Sequence, residues 1–175
     1  MTKHKVLSMS IAVALLLPYG AAQAATATTT FTVSATVANS CNVSSGNVSF
    51  GSVNAGAAAT NTATNITLTC NKGATVAVAL DNGSNPSGTQ KQMKDSVSGD
   101  FLNYNIDVPG GAALTTCPAA GAGSEWNGTN TVTASGLYTS NGGPKPIKIC
   151  ASIPVNQYPS AGSYSDTVQV TATYN

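Results

Sequence analysis

The stretch DTVQVTATYN, Asp166–Asn175, places Val168, Val170, Ala172 and Tyr174 on one face of an extended chain and Gln169, Thr171 and Thr173 on the other. Such alternation is the signature of a β-strand buried on one side, because successive side chains point to opposite faces. No further strand follows in the sequence. A terminal apolar strand leaves one row of backbone donors and acceptors without partners unless something lies beside it. A sheet lacking a neighbour at this edge is therefore expected. At the other end, TATTTFTVSATVANSC, Thr26–Cys41, alternates through Ala27, Thr29, Phe31, Val33, Ala35 and Val37 ahead of the first cysteine, with no hairpin partner. One end offers a strand and the other lacks one.

Between these ends the pattern is β throughout. NVSFGSV carries Val48 and Phe50 on one face, TNITLTC carries Ile66, Leu68 and Cys70, and ATVAVALDNG carries Val76, Val78 and Leu80 before an Asn-Gly turn signal. The last two are expected as half-buried strands joined near NKG. NGSNPSGTQKQM reads as a loop, and FLNYNIDV resumes a strand with Leu102, Tyr104, Ile106 and Val108 inward. PGGAALTTCPAAGAGSEWNG reads as a long connection. TNTVTASGLYT, KPIKICASIPVNQ and SYSDTVQVTATYN each supply a further strand. No window has helical periodicity of useful length. Short Thr-, Val- and Ala-rich strands between turn clusters predict an all-β sandwich of one domain.

The first residues read as an export signal. Lys3, His4 and Lys5 precede an apolar run, Val6–Leu17, and small residues stand at Ala22 and Ala24. The run is shorter than the roughly 20 residues that span a bilayer. Cleavage after Ala24 is expected, giving a signal peptide at 1–24 and a soluble exported chain. The sequence has no arginine, and its seven lysines include Lys3 and Lys5; the remaining five face six acids, a net charge near −1. Five scattered lysines do not form the basic face that phosphate neutralisation requires, so nucleic acid is not an expected partner.

The only histidine, His4, leaves with the signal. That removes the commonest general base and zinc ligand and argues against serine-protease and most zinc chemistry. A glycosidase needs two suitably spaced carboxylates, but Glu125 beside Trp126 in AGAGSEWNG reads as a surface loop with a partly buried ring. No enzyme, cofactor or metal is expected. Asn-X-Ser/Thr sequons at Asn42, Asn47, Asn65, Asn82 and Asn127 are ordinary in so Asn-, Ser- and Thr-rich a chain.

Cys41, Cys70, Cys117 and Cys150 are even in number in an exported chain and too widely spaced for zinc or redox motifs. Two disulfides are expected. Sequence order leaves three connectivities open, among which Cys41–Cys70 with Cys117–Cys150 is the expected one. Each would be worth about 3–4 kcal/mol in the loop-entropy picture.

The export signal, the early cysteine followed by VSFGSV, the second cysteine closing ITLTC, the FLNYNIDV strand and above all the ending GSYSDTVQVTATY resemble the spore coat protein U domain family, subunits of archaic chaperone–usher pili. The resemblance covers most of the chain after the signal; the loops after Gly110 and around Trp126 match no motif of it. It implies an incomplete immunoglobulin-like sandwich completed by donor-strand complementation. The implied organisation is an N-terminal donor extension at 25–39 and a pilin domain at 40–175. Ala27, Thr29, Phe31, Val33, Ala35 and Val37 would be the donor side chains, and Val168, Val170, Ala172 and Tyr174 would flank the acceptor groove. The implied partners are a periplasmic chaperone, an outer-membrane usher and copies of the chain or related subunits. The implied function is a surface fimbria supporting adhesion and biofilm formation. From pattern alone Phe31–Val37 could equally be the first strand of its own sandwich. The alternative function is then a self-complemented secreted coat protein or an adhesin-type binding module.

Overall fold

The computed structural model describes residues 23–57, 61–109, 117, 124–133 and 141–175. The expected signal peptide up to Ala22, most of the Gly110-to-Gly123 connection and the second half of TNTVTASGLYT lie outside the described residues. The chain divides into two units, Met1–Thr36 and Val37–Asn175. Within the first, the described residues carry no ladder, and Phe31 and Val33 are 86% and 83% exposed.

The second unit is all β among the described residues. Its strands are β1 (Cys41–Ser45), β2 (Asn61–Cys70), β3 (Val76–Leu80), β4 (Lys91–Asp95), β5 (Phe101–Asp107), β6 (Thr131–Thr133), β7 (Gly143–Ser152), β8 (Tyr164–Ser165) and β9 (Val170–Tyr174). Six form one antiparallel sheet in the order β1-β2-β7-β5-β4-β8, and three form another in the order β6-β3-β9.

The core follows from alternation. Ile66 and Leu68 of β2 and Ile147 and Ile149 of β7 are buried, as are Leu102, Tyr104 and Ile106 of β5. Val76, Val78 and Leu80 of β3 join the same cluster from the three-stranded sheet, with Val132 of β6. β2 and β7 pair along their whole length, from Asn61↔Ser152 to Cys70↔Gly143, and form the spine of the larger sheet. The connection at NKG, where Gly73 takes the left-handed φ of 86° that favours glycine, carries the chain from one sheet to the other. β2 and β3 are thus joined there without pairing.

Three expectations need correction. KQM, read as loop, opens β4. Its sequence, KQMKD, has no apolar alternation, yet Lys91 and Asp95 are buried because each finds polar partners. Lys91 Nζ donates to the Trp126 carbonyl at 2.7 Å. Trp126, expected as a partly buried surface ring, is fully buried in the core. Glu125 beside it bridges to Asp107 of β5, while Val108 N–H donates to the Ser124 carbonyl at 2.8 Å, drawing this segment onto the sheet.

The third correction concerns the ending. SYSDTVQVTATYN is two strands: β8 pairs with β4 in the larger sheet, and β9 pairs with β3 in the smaller one. The switch is made at Asp166–Gln169. Asp166 accepts hydrogen bonds from Ser84 N–H at 2.8 Å and Tyr104 O–H at 2.7 Å. Asp81 N–H donates to the Gln169 carbonyl at 3.1 Å, and Gln169 N–H to Asp81 Oδ1 at 2.9 Å. These bonds pay for the break in the ladder.

Candidate functional site

The sandwich is open along one side. After β1 the chain continues as Gly46–Ala57 without a ladder and forms one wall of a groove; Ser163–Val170, from β8 into β9, forms the facing wall. Two cavities of about 610 and 640 Å³ lie along it and share Phe50, Met93 and Tyr164. Leu80, Tyr104, Ile106 and Ile149 line the first cavity, and Leu102 and Ile153 line the second. Phe50 meets the Tyr104 ring edge to face at 6.3 Å between centroids. The groove floor is thus made of residues of the hydrophobic core, each buried to nine-tenths or more.

The strands around it have free edges. Among the described residues β9 pairs only with β3, β1 only with β2, and β8 only with β4. Unpaired backbone groups beside an apolar trough make a template for an added strand, with ladder bonds for affinity and side-chain pockets for register.

Polar side chains fix the walls. Asp95 accepts from Ser98 N–H at 2.7 Å, Ser98 O–H at 2.9 Å, Ser163 N–H at 3.1 Å and Val97 N–H at 3.2 Å. These donors, the Ser98 N–H foremost, hold its carboxyl below the usual carboxylate range. A Cβ on Gly162 would stand 2.8 Å from that carboxyl, so glycine allows the close approach. Asp100 is likewise lowered by Ser160, whose N–H it accepts at 2.9 Å. Burial, and secondarily its bond to Asp166, push the Tyr104 phenol well above its ordinary value, so it stays a neutral donor. Burial lowers the Lys91 ammonium and raises Glu125 and Asp107. Among the described residues no group of three His, Cys, Asp or Glu side chains is placed to hold a metal.

Of the expected groove residues, Val168 and Val170 line the first cavity. Ala172 sits further along β9, opposite Val78 and half-buried against the core, and Tyr174, opposite Val76, is 43% exposed. The alternating N-terminal residues Ala27, Thr29, Phe31, Val33, Ala35 and Val37 are all exposed. The alternation puts Val48 and Phe50 on one face, and Leu80, Tyr104 and Ile106 inward, without marking any of them as groove residues. Their burial pattern is that of any sandwich strand, so nothing local distinguishes a floor residue from a core residue.

Both disulfides have the sequential pairing. Cys41 and Cys70 face each other in register across β1 and β2, with Cα atoms 4.1 Å apart, and Cys117 joins Cys150 of β7 with Cα atoms 5.5 Å apart.

The fold defines a class: antiparallel sandwiches of two sheets, here with a groove along one side. The chain belongs to the Spore Coat Protein U domain family, whose model matches residues 27–171. Among solved structures, a chain in the crystal structure of the CsuC–CsuE chaperone–tip adhesion subunit pre-assembly complex, from archaic chaperone–usher Csu pili of Acinetobacter baumannii, is similar in fold. It shares 20% identity at a TM-score of 0.53 over 78% of this chain and 40% of the solved one. Comparison with curated proteins gave no match. The all-β fold is immunoglobulin-like.

Proposed function

We propose that this chain is a structural subunit of a surface pilus, exported through the periplasm and assembled by the chaperone–usher pathway through donor-strand exchange. The carrying observation is the pairing of an apolar, ladder-poor groove in the domain with an exposed, alternating segment ahead of it. Membership of the family and the chaperone–subunit neighbour support the same reading. A periplasmic chaperone lends a strand to the groove, and at an outer-membrane usher the N-terminal segment of another copy or a related subunit replaces it. Ala27, Thr29, Phe31, Val33, Ala35 and Val37 then face the groove; Val168 and Val170 flank them, with Ala172 and Tyr174 beyond on the same edge. The subunit performs no catalysis and needs no cofactor. The resulting fibre supports adhesion and biofilm formation.

Deleting Ala25–Val37 tests the reading. The shortened subunit is expected to be captured by its chaperone and to be absent from fibres. Failure to fold even with chaperone would instead mean that the segment belongs to the chain's own sheet, as in a self-complemented coat protein.

A further inference from the structure

The groove is closed at one end. Among the described residues no backbone hydrogen bond joins Ser45–Phe50 to Tyr164–Val170, but at the far end the Gly56 N–H donates to the Gln157 carbonyl at 2.7 Å. Backbones bonded directly stand about 4.8 Å apart, whereas two strands with a third between them stand about 9.6 Å apart. An added strand therefore cannot pass this point while the bond holds.

The closure is reinforced from both sides. The Tyr158 ring lies against Gly56, where a Cβ would come within 2.8 Å of it, and Gly56 itself has a φ of 69°. Gln157 is fastened to the sheet by its side chain: Asn103 N–H donates to its Oε1 at 2.7 Å, and its Nε2 donates to the carbonyls of Asn103 and Pro154, each at 3.0 Å. Asn156, with a φ of 64°, sets the turn that presents the Gln157 carbonyl.

We propose that the Gly56–Gln157 bridge, backed by Tyr158, is a register stop for the N-terminal segment of a second copy of this chain. The proposal rests on the strand-insertion reading above. A stop supplies something the segment lacks. A slip by one residue would turn every apolar side chain away from the groove, but a slip by two keeps the same face inward. In Ala27–Val37 the inward positions are Ala, Thr, Phe, Val, Ala and Val, so small side chains replace one another under such a slip and only Phe31 resists it.

The test uses fibres of the full chain carrying benzoylphenylalanine in place of Phe31, grown from equal parts ¹⁵N-labelled and unlabelled protein. Mixed-isotope cross-linked peptides then report contacts between chains. The stop predicts one cluster of acceptor positions. With Gln157→Ala, and separately with Tyr158→Ala, whose side chain is 76% exposed, the cross-links spread to positions two residues away, and the share of the main register falls at least twofold. Cross-links confined to one position in both variants overturn the stop and leave strand insertion standing. Fibres without mixed-isotope pairs overturn both.

Discussion

Phe31 is the largest apolar side chain of the alternating segment and is 86% exposed. Buried in a neighbour's groove, such a side chain contributes about 1.5–3 kcal/mol. Phe31→Ala is therefore expected to speed dissociation of joined subunits by roughly 10- to 100-fold, since each 1.36 kcal/mol is a tenfold change in rate. Heat-dissociation time courses on gels measure this; an unchanged rate would remove Phe31 from the interface. Asp95 gives a pH prediction. Its folded carboxyl is held below the ordinary 3.8, so the unfolded chain binds more protons in the interval beneath that value. The stabilisation is complete above 3.8 and is lost as pH falls through the folded value. Asp95→Asn is expected to lower the melting temperature at pH 7 and to flatten its decline below pH 4. Equal losses at pH 3 and pH 7 would contradict the assignment. Asp95 also shows why some of the fold is illegible one residue at a time. Its burial depends on Ser98 and on Ser163, which is distant in sequence.

At the scale of elements, β2, β3 and β5 announce themselves because their buried positions are apolar at a period of two. β4 does not, because its buried ends are a lysine and an aspartate. The ending alternates without a break, yet the chain changes sheets inside it; Asp166 and Gln169 make that switch through partners at Ser84, Tyr104 and Asp81 that no local pattern reveals. The groove was half legible for the same reason: Val168 and Val170 stand on a visible strand edge, while its opposite wall has no ladder to betray it. The Cys117–Cys150 disulfide closes a separation of 33 residues and ties the long connection to β7. Replacing both cysteines by serine is expected to cost about 3–4 kcal/mol. Denaturant unfolding of the chaperone-free assembled protein measures it, and a loss below about 1 kcal/mol would show that the denatured chain is little constrained by this link.

For the whole molecule, the proposed strand exchange makes a chain with a head and a tail: a groove at one end and a segment that fills another's groove at the other. Such a chain polymerises in one direction, and each junction persists because its strand must be withdrawn along its full length. Multimers that resist SDS and fall apart on heating follow from slow unfolding of that kind. Direction gives the sharpest test. A subunit lacking Ala25–Val37 retains the groove but has nothing to insert, so it can occupy only one terminal position. Full-length and shortened chains are mixed and assembled, and the SDS-resistant ladder is resolved by mass. The account predicts oligomers with at most one shortened chain each and average length falling as the shortened fraction rises; oligomers holding two or more shortened chains would contradict it.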